Sequence, residues 1–321
     1  MYNFCTYFDR NYLHRGLTLY QSLLRTTEGS FCLWVLCLDT ETFTILSNLN
    51  LHGLHPISLQ QLEAGDAPLA SAKENRTIVE YFWTLSPCLP LHIFNTNPEI
   101  DVIAYIDADM YFFSSPGPVF QELGKDSILI VPHDYSEEYQ SQIHSGKYNV
   151  GTMAFRSDDN GMSCLKWWKD RCIEWCYARH EDGKFGDQGY LNDWPERFNG
   201  VVVSKNIGLY PAPWNIGKYH VYQKPDIGMF IEDVLLICYH FHSTSFCTSW
   251  LAFLASWPIK MSREWRELIY RTYLQEMKNT ETLLKTSGHI LQIPTTGFPW
   301  RYIGGRILKR QPLRHFMLMT F

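Results

Sequence analysis

The sequence lacks the features of a membrane-spanning, secreted or nucleic-acid-binding protein. None of its 321 residues lies in a run that approaches the roughly 18 consecutive apolar residues needed to span a bilayer. The first ten residues contain no basic stretch leading into an apolar core, so we expect no signal peptide. The net charge of −5 argues against general nucleic-acid binding. With 45% hydrophobic and 19% charged residues, the chain is expected to be a folded cytoplasmic protein.

Two common site motifs are also missing. The nine cysteines include no Cys-x-x-Cys pair and mostly sit in apolar runs, which favours reduced, buried thiols over disulfides or a zinc site. Residues 8–16 contain a single glycine, Gly16, whereas a sugar nucleotidyltransferase would need a glycine-rich phosphate loop after its first strand.

Apolar runs and helical patterns alternate along the first half of the chain. Strand-like runs cover 2–8, 31–38, 102–106, 127–131 and 150–155. Helical patterns cover 13–24, 78–94 and 162–179, the second with an interruption at Pro87 and Pro90. This alternation predicts βαβ units and a mixed, mainly parallel sheet flanked by helices, which is an α/β fold. We expect one catalytic domain over 1–260 and a C-terminal extension over 261–321, whose helix begins with Ser262 as N-cap.

The most informative motif is Asp107-Ala108-Asp109, which directly follows the apolar run 102–106. If the strand continues through it, a side-chain period of two places both carboxylates on one face. Two adjacent carboxylates at the end of a buried strand are costly unless a cation neutralises them. The usual cation is Mg²⁺ or Mn²⁺, which also binds phosphate oxygens. The motif therefore predicts an enzyme that handles a phosphorylated donor.

The same motif allows other functions. In phosphatases of the haloacid dehalogenase type the first aspartate is the nucleophile, but there the motif lies near the N-terminus and continues with Gly/Val-Thr. Here it lies in mid-chain and continues with Met110-Tyr111. A phosphohydrolase with Asp107 as nucleophile, and a catalytically silent protein that binds nucleotide sugars, remain as alternatives.

Several motifs in order make residues 1–245 resemble a GT-A glycosyltransferase close to the retaining family 8. The matching segments are 6–12 (TYFDRNY), 17–23 (LTLYQSL), 80–87 (EYFWTLSP), 105–112 (YIDADMYF), 148–153 (YNVGTM), 186–191 (GDQGYL), 212–216 (APWNI) and 239–242 (YHFH). The resemblance implies a nucleotide-diphosphate sugar as donor, with UDP expected, and a glycan or lipid-linked saccharide as acceptor. It also implies transfer with retention.

The resemblance also implies roles for individual residues. Asp107, Asp109 and His240 would hold Mn²⁺ or Mg²⁺, with His242 as a second candidate two residues on. Asp187 and Gln188 would act at the donor sugar, although Asp187 could also serve as a helix N-cap. The donor contacts would include Thr6, Phe8, Asp9, Asp107, Ala108, Asn149, Gly151, Trp214 and Asn215. Arg76 and Lys73 precede the helical pattern that begins at 78, and either could contact the donor as a cation or belong to a solvated basic turn. The family's Gly and Lys-Pro-Trp segment after the histidine is replaced here by residues 243–246 (STSF).

The last segment combines positive charge with apolar side chains. No acidic residue follows Glu281, while five basic residues alternate with aromatic and aliphatic ones between 300 and 321. Such a tail is typical of a peripheral anchor at an anionic membrane. An ordinary terminal helix that docks on the domain would show the same pattern.

Overall fold

The computed structural model describes residues 1–255, 261–289, 292–297 and 316–318. Its strands are β1 (Tyr2–Phe8), β2 (Phe31–Cys37), β3 (Leu54–Ser58), β4 (Val102–Ile106), β5 (Met110–Phe112), β6 (Ile128–Pro132), β7 (Tyr148–Arg156), β8 (Val201–Val203), β9 (Val221–Lys224), β10 (Gly228–Ile231), β11 (Val234–Leu235), β12 (Cys238–His240), β13 (Ser245–Thr248), β14 (Leu251–Phe253) and β15 (Phe316–Leu318). Its α-helices are α1 (Leu13–Thr26), α2 (Thr40–Leu49), α3 (Leu59–Glu63), α4 (Ala67–Glu74), α5 (Ile78–Leu85), α6 (Cys88–Thr96), α7 (Gly117–Leu123), α8 (Asp159–Glu174), α9 (Trp194–Arg197) and α10 (Arg271–Thr286).

A seven-stranded sheet in the order β3-β2-β1-β4-β7-β6-β8 forms the centre of the fold. The pairings of β1 with β2, β2 with β3, β1 with β4 and β6 with β8 are parallel. Strand β7 runs antiparallel to both of its neighbours. The prediction of a mixed, mainly parallel sheet is confirmed.

Successive side chains of the central strands pack alternately into two hydrophobic layers, one on each face of the sheet. Phe4 and Ala104 face the layer that contains α1, whereas Cys5 and Tyr105 face the layer that contains α5, α6 and α8. This is the period of two expected for strands covered on both faces. Full burial of a large apolar side chain such as Trp168 is worth about 1.5–3 kcal/mol, so these layers fix the strands that carry the site.

Most predicted elements exist, with differences that have local causes. The helical pattern over 78–94 is two helices, and the break at Ser86 and Pro87 agrees with the interruption expected at Pro87. The second expected interruption, Pro90, lies within the first turn of α6, where proline is tolerated. Strand β4 ends at Ile106, so the pair of aspartates is not part of a strand. Strand β3 and the small antiparallel sheets of β9–β11 and β13–β15 were not predicted.

The C-terminal extension packs on the catalytic part of the chain. A π-helix, Trp265–Tyr270, leads directly into α10, and Ser262 Oγ accepts a hydrogen bond from the amide of Trp265 (3.4 Å). Tyr239 and Phe241 share one buried cluster with Tyr270 and Tyr273. The division at residue 260 stays a prediction.

The predicted basic and aromatic tail lies outside the described residues, apart from β15, which pairs with β14. In the described part of the chain, no helix is both long enough and apolar enough to cross a membrane.

Candidate active site

Asp107 and Asp109 lie in the tight turn that joins β4 to β5. The amide of Met110 donates a hydrogen bond to the carbonyl of Asp107 (3.0 Å), so residues 107–109 are not extended. The strand-period argument for the two carboxylates is therefore wrong, and a turn brings them together instead. The hydroxyl of Tyr105 donates to Asp107 Oδ1 (2.9 Å), and Asp109 is buried.

Strand pairing places His240 beside this turn. Strand β12 runs antiparallel to β5 with His240 opposite Met110. The amide of Phe241 donates to the carbonyl of Asp109 (2.9 Å). As a result His240 Nε2 lies 3.1 Å from Asp109 Oδ1 and 3.6 Å from Asp107 Oδ2. Residues more than a hundred positions apart thus form one cluster.

The cluster has the composition of a divalent-cation site. Asp109, His240 and His242 each offer one ligand atom, and these atoms all lie within 4.8 Å of one another. The second carboxylate, Asp107, approaches the same nitrogen of His240. Carboxylate oxygens suit Mg²⁺ and Mn²⁺, and imidazole suits transition metals, so the residues present fit a divalent cation.

In the absence of a metal ion, His240 offsets the negative charge of the two carboxylates. Burial raises the pKa of Asp107 despite the attraction of His240. Burial also acts on Asp109, but its contact with His240 outweighs this and lowers the pKa of Asp109 to about 2. The pKa of His240 is raised, because the two aspartates outweigh the effect of its burial. A proton held between the imidazole and the carboxylate would therefore compete with a cation for the same position.

Because Gly151 has no side chain, the ring of His240 can pack directly against the backbone at this position. A Cβ atom at this position would lie 2.8 Å from His240 Nδ1 and 2.6 Å from Asn149 Oδ1. The sequence places Gly151 among the donor contacts, where a missing side chain would let substrate approach the backbone closely. In this structure the close approach is that of the histidine ring.

We expect Gly151→Ala to weaken Mn²⁺ binding by at least about tenfold, since the added methyl group displaces the ring that presents Nε2. Isothermal titration calorimetry with Mn²⁺ measures the change. Gly217→Ala is the matched control, because the nearest atoms to its added Cβ would be 4.0 Å away. Equal Mn²⁺ affinity in both variants would contradict this role for Gly151.

Asp187 lies in the loop that enters the 3₁₀ helix Gln188–Asp193. Its Oδ2 accepts a hydrogen bond from Ser86 Oγ (2.7 Å), and its carbonyl accepts one from Trp168 Nε1 (3.0 Å). Asp187 occupies the N-cap position of this helix, but its side chain makes no capping hydrogen bond. Burial raises the pKa of this carboxyl to about 7. Such a buried, perturbed carboxyl in a cleft is a common property of functional sites.

The raised pKa of Asp187 predicts how the free energy of unfolding depends on pH. The folded state retains a proton on Asp187 up to about pH 7, whereas the unfolded state loses it near 4, so stability falls as the pH rises through this window. The difference amounts to about 4 kcal/mol. We expect Asp187→Asn to raise the melting temperature in EDTA, more at pH 8 than at pH 4. Asp182→Asn, at an exposed position on the same loop, is the control, and its effect on the melting temperature should be the same at pH 4 and pH 8. If Asp187→Asn also changes the melting temperature equally at both pH values, the prediction is contradicted.

A cleft of about 360 Å³ connects these residues. It is lined by Tyr7, Trp83, Asp107, His133, Tyr135, Gln142, Ser145, Asn149, Val150, Phe185, Gly186, Asp187, Gln188, Trp214, His240 and His242. The structure thus brings Asp107 and His240, the predicted catalytic pair, Asn149 and Trp214 together at one cavity. The third predicted metal ligand, Asp109, does not line the cavity but contacts His240.

Two amides in the cleft are held by fixed partners. Asn149 Oδ1 accepts from the amide of Gly151 (2.8 Å), which directs its Nδ2 to Nε2 of His133 (3.2 Å). Burial lowers the pKa of His133 to about 3, so its ring is neutral, and Nε2 accepts from the Asn149 amide in the tautomer that carries its proton on Nδ1. Gln188 Nε2 donates to the carbonyl of Ser145 (2.9 Å). Both amides are oriented before any ligand binds.

Some predicted donor contacts have other partners. The Arg76 guanidinium donates to Thr84 Oγ1 (2.7 Å) and to the carbonyl of Ile173 (2.5 Å), and it does not line the cleft, so its geometry lends no support to a donor contact. Lys73 pairs with Glu63 at the surface (2.8 Å).

Asn215 is fully buried, and its side chain bonds to backbone groups of residues 133, 210 and 212. It shapes the loop that carries Trp214, and in this structure its amide groups are occupied.

The remaining predicted residues lie at the ends of β1 and β4. Thr6, Phe8 and Ala108 are buried, and Phe8 packs so closely on Gly16 that a Cβ there would lie 2.1 Å from its ring. Asp9 accepts a hydrogen bond from the amide of Tyr12 (3.2 Å) and so begins the following turn.

Sequence reasoning missed several residues that line the cleft, chiefly Tyr7, Trp83, His133, Tyr135 and Phe185. They come from separate segments with no shared spacing. Tyr7 and Trp83 lie within the matched segments 6–12 and 80–87, and Phe185 directly precedes the segment 186–191, so these positions were the signal that could have found them.

Comparisons with known proteins agree with this geometry. The sequence profile of nucleotide-diphospho-sugar transferases matches residues 33–197. The uncharacterized Bacillus subtilis (strain 168) protein YfnF is 34% identical over 246 residues, which cover 74% of this chain and 80% of YfnF. The uncharacterized protein YfnD of the same organism is 31% identical over 281 residues, covering 86% of this chain and 89% of YfnD.

Two solved structures share the fold. The galactosyltransferase LgtC, solved in complex with donor and acceptor sugar analogues, has a TM-score of 0.52 at 15% identity and covers 94% of this chain and 99% of its own. The glycosyltransferase GlyE of Streptococcus pneumoniae TIGR4 has a TM-score of 0.51 at 14% identity and covers 92% of this chain and 66% of its own.

The profile match contains the turn with Asp107 and Asp109 and the loop with Asp187 and Gln188. It sets aside the phosphohydrolase alternative. The chain belongs to the nucleotide-diphospho-sugar transferase family and is a glycosyltransferase of the GT-A fold.

Proposed function

We propose that this glycosyltransferase depends on a divalent cation, Mn²⁺ or Mg²⁺, and uses a nucleotide-diphosphate sugar, with UDP as the nucleotide. The observation that carries the proposal is the convergence of the Asp107–Asp109 turn, His240 and the Asp187–Gln188 loop on one cleft. A cation held there would stabilise the negative charge of the departing diphosphate.

The protein's own residues would supply binding and orientation. Asp107, Asp109 and His240 would hold the cation, and the buried carboxyl of Asp187 would bind hydroxyl groups of the donor sugar. The oriented amide of Asn149 offers a second polar contact. Because Ser86 and Gly151 fix Asp187 and Asn149 in advance, little side-chain entropy would be lost on binding.

Retention is proposed from the resemblance, and Gln188 bears on how it is achieved. An amide is a feeble nucleophile, and here its nitrogen is engaged with the carbonyl of Ser145. We therefore favour breakdown of the donor and attack of the acceptor on the same face of the sugar. Gln188 would stabilise the positive charge that develops on the opposite face.

A thermal-shift panel of nucleotide sugars with and without Mn²⁺ tests the proposal. A donor that binds the folded protein alone raises the melting temperature, and we expect a UDP-sugar to do so with Mn²⁺ and not with EDTA. Slow hydrolysis of the same donor, followed as released UDP, would separate an enzyme from a silent binding protein. No shift and no hydrolysis with any donor would overturn the proposal.

For the acceptor we propose a glycan or a lipid-linked saccharide. The support is the basic and aromatic composition of residues 300–321, which suits peripheral contact with an anionic membrane surface. Co-sedimentation of the full chain with vesicles containing anionic lipid tests this contact. Equal binding to neutral vesicles, or none to either, would count against it.

A further inference from the structure

The cleft has a deficit of positive charge for the donor proposed above. A divalent cation balances Asp107 and Asp109, but the diphosphate adds further negative charge. Among the described residues that line the cleft there is no lysine or arginine. The segment after His242, residues 243–246, also lacks the lysine of the family pattern.

Arg15 brings a positive charge to this segment from another part of the chain. It lies on α1 and is 9% exposed. Its Nη2 donates to the carbonyl of Thr244 (2.8 Å), and Nη1 donates to the carbonyl of Asn11 (3.4 Å). The ring of Tyr12 covers the guanidinium, with its centroid 4.3 Å away.

This buried cation has no ion-pair partner within 4.0 Å among the described residues, whereas Arg25 on the same helix pairs with Glu276. Carbonyl groups and an aromatic face stabilise a guanidinium only in part, and a buried unpaired charge is costly. The contact with Thr244 lies two residues after the candidate ligand His242, so the guanidinium is held against the segment that belongs to the metal cluster.

We propose that Arg15 is a positioning residue of the donor site: it holds the turn after His242 against α1 and provides the fixed positive charge that balances the donor diphosphate. The proposal rests on the proposed function. In this arrangement the cost of the unpaired guanidinium is offset when the diphosphate binds.

A charge role and a purely structural role predict different results. Loss of the positive charge near Asp109 should tighten binding of Mn²⁺ alone, because a like charge is removed. The same loss should weaken binding of the diphosphate. If the role of Arg15 were purely structural, its loss would weaken the binding of both Mn²⁺ and the diphosphate, because the turn that follows His242 would move.

The test uses the full chain with Arg15→Gln, which keeps a hydrogen-bond donor, and Arg15→Lys, which keeps the charge. Calorimetry measures Mn²⁺ alone, then UDP and uridine in the presence of Mn²⁺. For Arg15→Gln we expect severalfold tighter Mn²⁺ binding, UDP binding weakened by at least about tenfold, and little change for uridine. Arg15→Lys should keep most of the preference for UDP over uridine. Arg25→Gln is the control.

The outcomes separate the two proposals. If Arg15→Gln binds UDP as the wild type does, or loses UDP and uridine equally, the inference is overturned. If Arg15→Gln does not fold, Arg15→Lys decides: a retained preference for UDP supports the inference, and a lost preference overturns it. If the wild type binds no nucleoside diphosphate with Mn²⁺, the proposed function falls and the inference falls with it.

Discussion

Asp109→Asn is expected to lower the metal-dependent hydrolysis of the donor sugar by at least about a thousandfold, a loss of about 4 kcal/mol in transition-state stabilisation. Asp109 is the buried carboxylate of the turn and lies 3.1 Å from His240 Nε2. An amide of the same size keeps the packing but removes the negative charge that holds the cation. Release of UDP from the donor selected by the thermal-shift panel, measured at saturating Mn²⁺, gives the result.

Asp101→Asn is the matched control, because Asp101 directly precedes β4, at the end opposite the turn with Asp109, and pairs with Arg156 at the surface. Its hydrolysis rate should stay within about twofold of the wild type, since surface ion pairs contribute little. Hydrolysis that persists in Asp109→Asn at the wild-type rate would show that this carboxylate holds no catalytic cation.

The central part of the fold could be predicted because its strands are buried on both faces. Strands such as β1, β2 and β4 are runs of apolar residues bounded by turns, and such runs are visible without any partner. Strands β9, β10 and β11 are two to four residues long and half-exposed, so they carry no comparable signal. Their pairing is decided by contacts that only the folded chain creates.

The site could be predicted in part for a similar reason. The matched sequence motifs contain Asp107, Asp109 and His240, so these three side chains were expected to lie together in the folded protein. The strand period was nevertheless the wrong explanation, because a hydrogen bond from Met110 closes a turn at this point. Arg15 could not be found from the sequence, since its contact with Thr244 joins positions 229 residues apart.

His240→Gln is expected to weaken Mn²⁺ binding by at least about a hundredfold, or about 3 kcal/mol, whereas His242→Gln should weaken it by less than about tenfold. Both histidines offer a nitrogen to the cluster. His240 is buried and its Nε2 faces both carboxylates, at 3.1 and 3.6 Å. His242 is exposed at the cleft wall, where water can replace it as a ligand.

The pH dependence of Mn²⁺ binding provides an independent measure of the same assignment. Because the two aspartates raise the pKa of His240, a cation that binds there must displace its proton. Mn²⁺ affinity should therefore fall as the pH is lowered through the raised pKa of His240, and this dependence should flatten in His240→Gln but persist in His242→Gln. The reverse pattern, with the larger loss and the flatter profile in His242→Gln, would identify His242 as the metal ligand and leave His240 as the buried countercharge of the two aspartates.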